Sequence, residues 1–370
     1  MEVAKRLRYA RTRAGLTLTQ VRERSGIGES SLCEFEGGKR EPSLSQLQAL
    51  AEAYRRSAGF FLAEGEIPSE IALWREQPCD GGRDVEATFF RLCQQYHNLE
   101  MWTGEAVPTS LGIASGSAES FSYRHAEGLA KSFRDRFELG DRPSLSLLTV
   151  LEEECGVKVF HLSFEPTGTA ASTMSPTFGA AIVLNAANVR WRRNFDLAHE
   201  LFHLLTWTVF RDHSSSATSM VAPEREESLA NSFASQLLMP AEAMQTAFGG
   251  RIRNSKLYVS ELHDIARQFD VSVSAVLWRS FHLKLLAGTA DEIRALVRRV
   301  ESARGPDADR RDTTPRKWPD RYKALAIKAL RSGAMSVGRF ASYLEISRQE
   351  AMKYLEQEAT DGEEVPLAPA

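Results

Sequence analysis

The chain is poor in cysteine, with four thiols (Cys33, Cys79, Cys93, Cys155) in 370 residues. Their wide spacing argues against a disulfide framework and for a reducing compartment. No apolar run approaches the ~20 residues that cross a bilayer, and no secretory signal opens the chain, so a cytoplasmic protein is expected. An excess of one charge is also missing. The 46 basic and 49 acidic residues give a net charge of −3, so no global field draws nucleic acid and any DNA contact must be local. No repeat of fixed period and no glycine-rich phosphate loop occur, which sets aside solenoids and P-loop chemistry.

What is present is an ordinary globular balance, 43% hydrophobic and 26% charged, long enough for two or more domains. The most informative stretch runs from about Trp191 to Trp207. It holds H-E-x-x-H as His199, Glu200 and His203. Residues four apart lie one turn up the same helix face, so both imidazoles can reach one ion. Glu200, rotated by roughly 100°, is placed to act as a base beside them. Two neutral nitrogen ligands and an adjacent carboxylate are what zinc-assisted hydrolysis requires. With 8 histidines and 49 acidic residues in 370, chance supplies such a pattern about 0.02 times per chain. The competing reading is a buried helix with two hydrogen-bonded histidines. Leu197, Leu201 and Leu204 on one stripe, with Phe195, Ala198, Phe202 and Leu205 on another, mark the helix as buried. Polar groups on such a helix need a strong partner, and a metal ion supplies one.

Zinc in a catalytic site takes a third protein ligand and leaves one position open. Residues 224–240 read as a helix on which Glu227 and Asn231 share a face. Glu227 is assigned as third ligand and Asn231 as a group orienting a ligand. Glu226 competes, but points away from Asn231. Zinc suits the His, His, Glu set best; Mn²⁺ is the alternative.

The strand ending Ile182-Val183-Leu184-Asn185, the run Phe195-x-x-Ala198-His199-Glu200-x-x-His203-Leu204-Leu205 and the run from Glu227 through Ala230, Asn231, Phe233, Ala234, Leu237 and Leu238 to Met239-Pro240 resemble the ImmA/IrrE family of metallopeptidases. The resemblance covers about residues 140–285. It implies a zincin-like core and cleavage of a helix-turn-helix repressor, releasing its genes, as in a stress response. Two positions depart from the family pattern: Asp196, where a small hydroxyl residue is commoner, and Phe202, where glycine is common.

Residues 1–66 read as short helices with a tight Gly26-Ile27-Gly28 turn between the second and third, a helix-turn-helix pattern. The run from Leu16 through Thr19-Gln20, Ser25-Gly26 and Phe35-Glu36-Gly37-Gly38-Lys39-Arg40 to Pro42-Ser43 is similar to the Cro/cI-type domain. That resemblance implies Thr19 and Gln20 near phosphates, Ser30 and Ser31 at base edges, and Lys39 and Arg40 on the backbone. Glu29 and Glu34 on the third helix work against phosphate binding, so a docking or dimerisation module is the competing reading.

The remaining chain reads as a helical connecting region over 67–140, a metallopeptidase core over 141–240, a helical appendage over 241–300 and a C-terminal helical region over 318–358, where Ser347 and Glu350 stand at capping-box spacing. A charged, breaker-rich linker covers 301–317. The expected class is mainly α with a small β-sheet (α+β). Three strands precede the metal helix, and Ala171-Ser172-Thr173 is a candidate edge for an extended substrate. Cys79, Cys93 and His97 have poor spacing for a metal and read as core. His213, in a serine-rich loop, and His161, on a strand, are weaker candidates for site roles. The leading reading is a zinc-dependent, site-specific endopeptidase and regulator, acting on a repressor-type protein and binding double-stranded DNA through residues 1–66. Single-stranded DNA as an activator and a homodimer complete the partners considered. The alternative is a transcription regulator using the metal fold as sensor or scaffold without proteolysis.

Overall fold

The computed structural model describes residues 2–65, 67, 70–77, 82–166, 169–211, 219–251, 257–302 and 314–356. The first five helices are α1 (Glu2–Arg13), α2 (Leu18–Ser25), α3 (Glu29–Glu36), α4 (Leu44–Ala53) and α5 (Ala58–Leu62). Local chemistry sets their ends. Thr17 caps α2 in a reciprocal box with Gln20, and Ser43 caps α4 in the same way with Gln46. Gly26, at φ +71°, makes the left-handed turn into α3. Leu7, Val21, Leu32, Phe35, Leu47, Leu50 and Phe61 close a core of their own.

Next come β1 (Ala72–Trp74), α6 (Gly82–Thr103), α7 (Tyr123–Arg136), α8 (Leu147–Glu153), β2 (Lys158–Leu162), β3 (Ala170–Ser175) and β4 (Gly179–Asn185). They are followed by α9 (Arg190–Leu205), α10 (Trp207–Phe210), β5 (Ser219–Val221), α11 (Glu224–Leu238) and α12 (Ala241–Gly249). The chain continues through α13 (Val259–Phe269), α14 (Val273–His282), α15 (Ala290–Ser302), α16 (Asp320–Arg331), α17 (Val337–Leu344) and α18 (Arg348–Glu356). The fold is mainly α with one small sheet, as expected.

The strands form a five-stranded sheet in the order β2-β4-β3-β1-β5. β3 pairs antiparallel with both β4 and β1, while β2 and β5 pair parallel at the two ends. This corrects the expectation that Ala171-Ser172-Thr173 lies on an edge. Ser172 sits opposite Ile182 on one side and Leu73 on the other, and Ala171 opposite Val183 and Trp74, so both are paired on two sides. Three residues of β1 are too few to show a period-two pattern, and the strand is therefore invisible in sequence.

Along β4 the side chains alternate between two cores, as the pleat requires. Ala180, Ile182 and Leu184 face one with α9 and α11. Ala181 and Val183 face the other, with Trp74, Phe160, Phe89 and Tyr96. The second core also takes Tyr322, Leu325, Phe340 and Leu344 from α16 and α17. Segments far apart in sequence thus cover the same sheet face. Two helical layers leave little of the sheet to solvent, and α9 lies in one of those layers.

Candidate metal centre

The helix α9 is buried on nearly every side. His199, Glu200 and His203 are 0%, 1% and 1% exposed. β3 and β4 flank it on one side and α11 on the other. Phe202, at a departure from the family pattern, fills the space between Phe121, Phe210 and Phe233 with ring centroids 5.6–6.2 Å away.

Three groups converge. Nε2 of His199 lies 3.1 Å from Oε2 of Glu227, Nε2 of His203 lies 3.2 Å from Oε1 of Glu227, and the two Nε2 atoms are 3.2 Å apart. A tetrahedral zinc with bonds of roughly 2.0–2.1 Å separates its ligand atoms by about 3.3 Å, so the spacing fits. Both Nδ1 atoms face acceptors, Oδ1 of Asn231 at 3.1 Å for His199 and Oε1 of Glu226 at 2.7 Å for His203. With the ring protons on Nδ1, both Nε2 lone pairs point at a carboxylate, an arrangement that a cation satisfies. Among the described residues this is the one grouping of His, Cys, Asp or Glu side chains able to hold a metal.

The charges agree. Burial pushes the His199 imidazole down, so it is neutral and a lone-pair donor. Burial works against protonation of His203 too, but hydrogen bonds to Glu226 and Glu227 draw it upward. The two carboxylates therefore call for positive charge at this point. Burial raises the Glu227 carboxyl, but its bonds to His199 and His203 outweigh that and hold it well below the usual carboxylate range.

Glu200 stands beside this set. Its Oε2 accepts a hydrogen bond from Ser172 Oγ at 2.7 Å. Its Oε1 is buried and makes no hydrogen bond among the described residues. Burial lifts its carboxyl to about 7, with the neighbouring His203 and the Ser172 hydroxyl working against the rise. A base poised near neutrality suits proton transfer.

Four groups at this centre escape sequence reasoning. Glu226 is the clearest. Read as a competitor of Glu227, it holds His203 Nδ1 instead and accepts from both terminal nitrogens of Arg211, at 2.9 Å and 2.6 Å. Arg75, just after β1, reaches Asp196 at 3.4 Å, Asn231 at 3.3 Å and Glu227 at 3.7 Å. Asp196 is 1% exposed and also receives Arg192 at 2.9 Å and Asn188 at 3.1 Å. Ser172, read as a place for substrate, orients Glu200. The one signal available in sequence was Asp196 itself, a carboxylate on the apolar helix where a hydroxyl is commoner.

The other candidates lie apart. Thr19, Gln20, Ser30, Lys39 and Arg40 are exposed and Ser31 half-buried, all in the N-terminal helical unit. Gln20 is engaged by the cap of α2, and Arg40 lies 3.9 Å from Glu34 and over the ring of Phe35. Cys93 is a buried free thiol, in keeping with a core role, and the half-buried His97 joins no metal grouping among the described residues. Burial pushes the His161 imidazole down to about 4. Cys79 and His213 lie outside the described residues.

Comparison with known proteins agrees with this geometry. Residues 152–281 match the family model of the IrrE N-terminal-like domain. Residues 2–59 match that of a helix-turn-helix domain. The chain is also similar to the HTH-type transcriptional regulator ImmR of Bacillus subtilis (strain 168), with 33% identity over 67 residues. That stretch is 18% of this chain and 53% of the relative, so the chain spans about half the length of the curated relative it matches. Two stretches of the chain are thus similar to known domains, a helix-turn-helix domain and, after it, an IrrE N-terminal-like domain. Among the described residues no helix is long and apolar enough to cross a membrane.

Proposed function

We propose that the protein is a cytoplasmic, metal-dependent, site-specific endopeptidase and transcription regulator that cuts a helix-turn-helix repressor. The carrying observation is the convergence of both Nε2 atoms and Glu227 beside the unsatisfied Oε1 of Glu200. His199, His203 and Glu227 would hold the ion, with zinc the best match to that donor set and Mn²⁺ the alternative. A divalent ion there supplies Lewis acidity, which favours water ionisation and polarises a peptide carbonyl. Glu200 Oε1 takes the proton of the attacking water and returns it to the leaving nitrogen. Ser172 fixes the other oxygen of Glu200, so the free one keeps a single direction. Asn231 and Glu226 hold the imidazole tautomers.

Double-stranded DNA is the partner proposed for residues 1–66, through Thr19, Gln20, Ser30, Ser31, Lys39 and Arg40. Single-stranded DNA is a candidate activator, and a homodimer is the candidate assembly.

One observation favours a second reading, a regulator whose metal fold senses or scaffolds without turnover. The site is buried, and Arg75 bridges Asp196, Asn231 and Glu227 beside it. One experiment separates the two. The purified chain with quantified metal is mixed with repressor-type proteins encoded beside its gene, with and without single-stranded DNA, and followed by intact mass. A single chelator-sensitive cut, absent in Glu200→Gln with metal retained, is expected. Metal bound at one per chain with no cut, or a cut that survives Glu200→Gln, overturns the peptidase reading.

A further inference from the structure

The turn between α2 and α3 occurs three times among the described residues. Each copy is a helix ended by a residue in the left-handed region, one apolar residue, a capping position and a second helix. The copies are Gly26-Ile27-Gly28 (φ +71° at Gly26), Asp270-Val271-Ser272 (φ +54° at Asp270) and Glu345-Ile346-Ser347 (φ +52° at Glu345). Val21, Ile265 and Phe340 occupy one shared place on the first helix, all 0% exposed. Leu32, Val276 and Ala351 occupy another on the second helix and are equally buried.

The first and third copies match position for position. The first helix has eight residues in both, capped by Thr17 in one and Ser336 in the other. In the first, α1 packs on α3 and α4 on α2; in the third, α16 packs on both α17 and α18. The third copy is thus a helix-turn-helix in geometry, although sequence reading saw only a cluster of C-terminal helices.

The copies differ in what the second helix offers to a partner. α14 buries Val273 and Leu277 at the positions that would face outward, so it is structural. α3 places Glu29, Ser30 and Glu34 there, and Glu29 and Glu34 lie 3.3 Å from Arg22 and 3.9 Å from Arg40. α18 places Arg348, Gln349 and Lys353 at the matching positions, all exposed, and Met352 at the place of Cys33. On the first helix, exposed Arg339 stands where α2 has Gln20. Glu350, at the place of Ser31, is the acid on this face, and Ser347 ties it to the cap.

We propose that α17 and α18 form a second helix-turn-helix that binds duplex DNA, with Arg348, Gln349 and Lys353 facing the groove and Arg339 a flanking phosphate. The outward Arg348, Gln349 and Lys353 complement the phosphate charge, whereas the acidic α3 opposes it. This surface is independent of the metal centre, and its failure would leave the peptidase reading untouched.

The test uses the full chain and a short mixed-sequence duplex labelled for anisotropy, titrated over a range of salt. Wild type is expected to bind, and R348E/K353E to bind roughly 10–100-fold more weakly, with the salt slope reduced by about two. The conservative R348K/K353R is expected to keep most of the affinity. K39E/R40E, in the first copy, is expected to reduce non-specific binding less than R348E/K353E does. Gln349→Glu serves as a second variant should the double charge reversal disturb folding, and it too is expected to weaken binding. Wild-type affinity in R348E/K353E and Q349E, no duplex bound by wild type, binding of single-stranded RNA alone, or loss confined to K39E/R40E would each overturn the proposal.

Discussion

Oε1 of Glu226 lies 2.7 Å from Nδ1 of His203, joining the start of α11 to the metal helix. The same carboxylate is 2% exposed and holds Arg211 with both oxygens. His203 is therefore fixed at one nitrogen so that the other faces Glu227.

Glu226→Gln keeps the shape of this contact but removes its charge. Metal affinity is expected to fall ~10–100-fold, the usual cost of losing a partner behind a ligand. Titration against a chromophoric chelator checks it. Arg211 would also be left buried without its ion pair, so stability should drop by about 3–5 kcal/mol. Unchanged metal affinity would show that the contact is structural only.

Ser172→Ala removes the hydroxyl that holds Oε2 of Glu200. A hydrogen bond to a charged group is worth about 1.5–3 kcal/mol, so kcat on a cleaved substrate should fall roughly tenfold to a hundredfold. Metal content and KM are expected to stay as in wild type. A fall in metal content instead would place Ser172 among the groups that build the site.

Arg75→Met removes a fork that touches Asp196, Asn231 and Glu227. Asp196 keeps Arg192 and Asn188, so the expected loss is about 1–3 kcal/mol in urea unfolding. Arg75→Lys should not restore it, because a compact ammonium lacks the planar fork that reaches the three acceptors. The double variant R75M/D196N should be more stable than the sum of the single losses implies.

Phe202→Ala leaves a cavity among Phe121, Phe210 and Phe233. A loss of about 3–5 kcal/mol is expected in the same unfolding assay, with α9 and the ligand spacing retained. A much smaller loss would mean that these rings collapse into the space.

Much of the candidate ligand set was legible because it is local. His199 and His203 share a face whatever surrounds the helix, and Glu227 and Asn231 likewise stand one turn apart on α11. The cap at Ser347 is equally local, closed by Glu350 three positions on. Glu226 was left without a role because helix phase says only that it turns from Asn231. What it turns toward depends on how α11 lies across α9.

The sequence alone determined which residues share a helix face and so which could share a metal ion, because side-chain phase within a helix repeats over a few positions. Tertiary structure alone decided that β3 is central, that Arg75 and Ser172 reach the metal helix, and that α16 and α17 cover the sheet beside α6. Those contacts join residues far apart in the chain. They are chosen by which apolar faces can be buried together, and no short-range pattern encodes that choice.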